Sequence, residues 1–191
     1  LELLRVTLKT PLTHIFNRDG SVKIVEVPED AAKHLPDLFK DGLSPKKLTA
    51  LLKQKYESLP NKAVSRGDTW VRNQTMYLEG GQTMTFRINY KYEGIVKKDK
   101  LELDLITGKI TDVAYDMEGD PNTPLKVKNS ELKPVMSSLE LFFDRKQGRY
   151  VRTKSLVHIK GDMTFDANGM ELPGKLDLMI EQNNRDIQKD E

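Results

Sequence analysis

The sequence predicts an α+β protein that is mainly antiparallel β: a curved, half-barrel-like sheet with a short helical insert packed on it. Three observations carry this expectation. Apolar residues alternate with polar ones in several separate stretches, the pattern of strands with one buried and one wet face, because successive side chains point to opposite sides. Fully covered parallel strands would instead read as continuous apolar runs. Turn signals such as Asn168-Gly169 stand between the stretches, and short turns join antiparallel neighbours. Only one region, about 28–59, carries a helical period. A β-sandwich or a closed lipocalin-like barrel is the alternative, since a broad apolar sheet face left bare exceeds what monomers normally expose.

In chain order, the helical insert comes first. Ser44-Pro45 is a helix start, an N-cap hydroxyl before a proline whose missing N–H costs nothing at the first position. Leu48, Leu51, Leu52 and Tyr56 then form one apolar stripe. A weaker segment, Glu29 to Phe39, is interrupted by Pro36. Gly67-Asp68 reads as a turn into a strand anchored by Trp70, the only tryptophan. From Gln82 to Tyr92, Met84, Phe86, Ile88, Tyr90 and Tyr92 alternate strictly with polar residues. Leu101, Leu103 and Leu105 do the same after the charged turn Lys97–Lys100, and Thr107-Gly108-Lys109 reads as a further turn before Val113, Tyr115 and Met117. Leu139, Leu141 and Phe143 mark another strand. Arg145–Gly148 turns it into a long one from Tyr150 to about Lys160, and Leu176, Leu178 and Ile180 mark the last. The segments Phe16–Gly20 and Phe165–Gly169 echo one another, either by convergent hairpin chemistry or by duplication of a hairpin unit.

A chain of 191 residues can bury roughly 70% of its unfolded surface in a single domain. We expect one domain over 1–182 and a flexible tail at 183–191. The 31 basic and 29 acidic residues nearly balance, which argues against nucleic acid as a partner. There is no cysteine and there are three dispersed histidines, so thiolate metal sites and cysteine nucleophiles are absent. No apolar stretch approaches the ~20 residues of a membrane-spanning helix. The start at Leu1 without methionine leads us to expect an export signal or lipid anchor upstream.

The segment Leu59–Trp70, with its Leu59-Pro60, Val64 and Gly67-Asp68-Thr69-Trp70, resembles a pattern in a family of bacterial exported proteins, many of them lipoproteins. Gly161, Phe165, Asp166 and Gly169 are similar to that family's late motif. The resemblance spans about the last two thirds of the chain. It implies a β-rich fold and a periplasmic or cell-envelope location, and it carries no activity.

Two groups of residues stand out as sites. Trp70, Met84, Phe86, Ile88 and Tyr90 offer an apolar face for a lipid or other apolar small molecule, held between sheet and helix. Arg145, Lys146, Arg149, Arg152 and Lys154 form a basic hairpin that could contact another envelope protein; the favoured reading is a soluble hairpin whose charged edges discourage aggregation. Glu102 and Asp104 lie roughly 6.6 Å apart on one strand face, but with Lys100 beside them and leucines opposite, both acids belong in solvent. No nucleophile elbow, metal set or phosphate loop is present. The expected function is therefore a non-catalytic exported protein without a cofactor, binding an apolar ligand; a structural or interaction module of the envelope is the alternative, and a hydrolase the least favoured.

Overall fold

The computed structural model describes residues 12–16, 22–28, 45–77, 82–98, 100–117 and 125–185. The sequence reading expects one domain over 1–182; contacts instead group the chain into two compact units, Leu1–Leu59 and Pro60–Glu191. The boundary falls where the expected insert ends.

In the first unit, β1 (Thr13–Phe16) and β2 (Val22–Glu26) form an antiparallel pair, followed by α1 (Pro45–Tyr56). The helix begins at the expected proline. It lies against β2, where Thr49 Oγ1 accepts the Val25 N–H at 2.8 Å. Val22 and Val25 are buried, and Leu48, Leu52 and Tyr56 are half-buried. The Ser44 cap, the Glu29–Phe39 segment and the Asn17–Gly20 turn lie outside the described residues.

The second unit is a six-stranded antiparallel meander. It comprises β3 (Thr69–Tyr77), β4 (Gln82–Lys98), β5 (Leu101–Met117), β6 (Leu125–Asp144), β7 (Arg149–Ala167) and β8 (Met170–Arg185), each hydrogen-bonded to its neighbours in chain order. Mainly antiparallel β with little helix is thus as expected. The closed barrel is not: among the described residues β3 and β8 are the two edges of one open sheet. The eight described strands divide between a six-stranded and a two-stranded sheet.

Turn chemistry explains the connections. Asn168 (φ 55°) and Gly169 (φ 86°) close the β7–β8 hairpin between the paired Ala167 and Met170, as the positive-φ preference of Asn-Gly predicts. At the β6–β7 turn, Asp144 Oδ1 accepts the N–H groups of Lys146 (2.8 Å) and Gln147 (3.1 Å), and Gly148 takes φ 64°. Gly67 (φ 95°) turns the chain into β3 and donates to the Tyr92 carbonyl at 2.8 Å.

Three expectations need correction. Thr107-Gly108-Lys109 is no turn, because β5 runs unbroken through it. Gly108 is there because the Tyr90 ring crosses it: a Cβ would sit 3.1 Å from two ring carbons. Asn183–Arg185 belong to β8 rather than to a tail, since they pair with Arg152–Lys154; residues 186–191 lie outside the described residues. Finally, β6 starts well before Leu139, passing through Pro134 at a bulge where Val135 is the extra residue; a proline lacks the ladder donor and is tolerated at such a place.

At Gly161 the backbones of β6 and β7 meet so closely that a Cβ would lie 2.1 Å from the Glu131 carbonyl oxygen. Gly161→Ala therefore forces the two strands apart and is expected to lower unfolding stability by roughly 1–3 kcal/mol, read from urea denaturation. An unchanged midpoint refutes the close approach.

Candidate functional site

Residues directly opposite one another in antiparallel strands share a face of the sheet. The register therefore defines rows that cross it. One row runs Trp70–Tyr90–Gly108–Leu139–Ser155–Gln182. Others join Ile88 to Ile110, Phe86 to Val113 and Pro134 to Ile159 to Leu178. These rows place Trp70, Met84, Phe86, Ile88 and Tyr90 together on one side, with Leu132, Leu141, Val157 and Ile159, all four buried. The sequence-predicted apolar face is thus one face, and it is larger than predicted.

Its predicted centre is closed. Met84, Ile88 and Tyr90 are 1%, 2% and 1% exposed. Trp70 stacks on Tyr90, ring centroids 5.7 Å apart and planes 21° from parallel. Burial pushes the Tyr90 hydroxyl well above the ordinary phenol range; Tyr150 adds to the rise, and Arg72 opposes it. Met84, Ile88 and Tyr90 are thus core side chains closed to direct contact with a ligand, whereas Trp70 is half-buried. The same face opens toward β8. There Leu176, Leu178 and Ile180 are half-buried and Leu172 is 41% exposed. The alternation of the last strand held this signal, but Leu172 lies outside it.

The basic hairpin is mostly committed. Arg145 holds Asp104 with two hydrogen bonds, Nε to Oδ2 at 2.8 Å and Nη2 to Oδ1 at 2.5 Å. Arg149 Nε donates to Gln147 Oε1 at 2.6 Å, Arg152 Nε to Asn183 Oδ1 at 3.4 Å, and Lys154 pairs with Glu140 at 3.5 Å. Lys146 is exposed beside them. The five cations do not converge on a common point through these contacts.

Asp104 is where sequence reasoning failed most. It is buried rather than solvated. It shares the apolar face with Tyr92, whose hydroxyl donates to Oδ1 at 2.6 Å, and Arg145 Nη2 lies 3.2 Å from the same hydroxyl. Burial works to raise the Asp104 pKa, but the hydrogen bonds from Arg145 and Tyr92 and the guanidinium charge outweigh it, and the carboxyl stays below its usual range. Glu102 is exposed as expected, 3.8 Å from Lys97. On the opposite face, Asp177 binds His158 at 2.5 Å and Lys160 at 2.8 Å. Among the described residues no group of histidine and carboxylate side chains is arranged to hold a metal, and no helix is long and apolar enough to cross a membrane.

Compared with family models, curated proteins and solved structures, the chain matches none.

Because the folded carboxyl titrates below the unfolded one, Asp104 adds stability above about pH 4 and loses it as pH falls through the lower folded value. Arg145→Ala leaves a buried carboxylate without its cation and is expected to cost about 2–3 kcal/mol at neutral pH. The loss should shrink in acid, where Asp104 is protonated. Urea melts of both proteins across this range check it; a pH-independent difference rules it out.

Proposed function

We propose that this is a non-catalytic protein that binds an apolar ligand, such as a lipid chain, on the apolar face of a curled, half-barrel-like sheet. The ligand enters over β7 and β8. One observation carries this reading: a single apolar face runs through all six strands, shut at β4 and increasingly open at Leu172, Leu176, Leu178 and Ile180.

The curl is supported by the bulges. Register shifts in the β4–β5 and β6–β7 ladders add the bend and twist that bulges bring. The binding surface proposed here is the sheet face alone; α1 packs on β2 within its own unit. An envelope or periplasmic location rests on the resemblance of Leu59–Trp70 to exported proteins and on the cysteine-free chain.

A titration with a fluorescent fatty acid tests the binding. Saturable binding is expected, weakened about tenfold or more by Leu172→Glu, since a leucine's burial is worth roughly 1.5–3 kcal/mol. Met136→Glu, on the opposite face, should leave it unchanged. Absence of saturable binding, or equal effects of the two variants, overturns the proposal.

A further inference from the structure

The two edges of the long sheet differ in kind. β3 offers nine residues, whereas β8 offers sixteen, and its ladder with β7 runs from Met170 to Arg185 without a bulge. Among the described residues β8 pairs with β7 alone. Its odd-numbered residues, from Glu171 through Arg185, are exposed on the polar face, while Leu176, Leu178 and Ile180 lie half-buried on the apolar face. A long, regular edge presents unpaired backbone donors and acceptors and is a ready template for another strand.

We propose that β8 pairs antiparallel with β8 of a second copy of this chain, about a two-fold axis at Leu178. The charge pattern selects both the partner and the register. With the axis at Leu178, Lys175 stands opposite Glu181 of the second copy, and Glu171 opposite its Arg185; symmetry repeats each pair. Leu176 meets Ile180 and Leu178 meets itself, all on the apolar face. Every nearby axis fails. At Asp177 that carboxylate faces itself, and at Lys175 that ammonium does. At Met179, Asp177 faces Glu181. At Leu176, Lys175 faces Asp177, but Glu171 facing Glu181 cancels that attraction, and at Gly174 Glu171 faces Asp177. At Ile180, Lys175 faces Arg185. Like charges directly opposite across strands are destabilising. Asp177 lies near the axis, and its charge is offset within its own sheet by Lys160 and His158. The pairing joins two six-stranded sheets edge to edge, with their apolar faces on the same side.

The test uses ligand-free protein, so it stands or falls apart from the binding reading. Sedimentation equilibrium should show a concentration-dependent dimer. Lys175→Glu should weaken it about tenfold, since two opposite-charge pairs become like-charge pairs. The double variant Lys175→Glu with Glu181→Lys should restore it. The chain lacks cysteine, so a single introduced thiol can react only with its copy. Residues opposite each other lie roughly 4.5–5.5 Å apart, within disulfide range, and Leu178→Cys should cross-link on oxidation. Leu172→Cys, whose copies stand roughly 40 Å apart in this register, should not. A monomer at all concentrations, a dimer indifferent to the charge swap, or equal cross-linking at 172 and 178 overturns the proposal.

Discussion

Burial of Met84, Ile88 and Tyr90 on β4 organises the long sheet, because rows of facing residues run from them into the neighbouring strands. Each such side chain contributes roughly 1.5–3 kcal/mol when taken fully from water. That gain is realised only if the partner strands present their apolar residues on the same side. A slip of one residue would turn a strand's apolar set to solvent, so the face fixes the register. The bulges serve the same end. Glu93 is the extra residue where Tyr92 and Gly94 face consecutive residues of β5, and Val135 is the extra one where Pro134 and Met136 face Ile159 and His158. Each absorbs one residue; at Val135 the apolar rows continue on both sides, whereas beyond Glu93 the apolar face carries Ile95, 59% exposed, opposite Asp104.

A carboxylate on that face is expensive unless it is paired and hydrogen-bonded. Asp104 meets the condition through two distant residues. Tyr92 reaches it diagonally across β4–β5, and Arg145 comes from the turn after β6. The side chain of Arg145 is 62% exposed and that of Asp104 10%. The cation therefore keeps much of its hydration while the anion receives a bidentate partner, a geometry in which desolvation costs less than for two buried ions. The contact also ties the β6–β7 turn to β5.

The alternation at Met84–Tyr92, Leu101–Leu105 and Leu176–Ile180, and the Asn168-Gly169 turn, were legible because period and turn chemistry are local. What was hidden depends on tertiary neighbours. Gly108 reads as a turn residue until the Tyr90 ring is seen crossing it. The first half of β6 is obscured because Pro134, Val135 and Met136 break the alternation at a bulge. Asp104 alternates with leucines and so reads as solvated; the leucine between it and Glu102, Leu103, is itself buried, so both sides of the strand are covered there. For the site, Trp70, Met84, Phe86, Ile88 and Tyr90 lie on one face, but Met84, Ile88 and Tyr90 are its sealed centre, and Trp70 is half-buried on the edge strand. Which part of an alternating strand stays accessible is set by its place in the sheet, and order in the sheet is not written in any single strand.

The polar face has its own logic. Lys160 stands opposite Asp177 and Asp162 opposite Lys175 across β7–β8, and Lys128 pairs with Glu171 nearby. Exposed pairs of this kind contribute at most about 1 kcal/mol each, so they add little to stability beside the apolar rows. Their value lies in what they forbid. Sliding β8 by two residues keeps every side chain on its proper face, and the apolar rows alone would tolerate it. In one direction the slide sets Asp177 against Asp162, and in the other it sets Lys175 against Lys160. Burial thus chooses which face of β8 turns toward the core, and charge chooses which of the remaining registers the strand adopts.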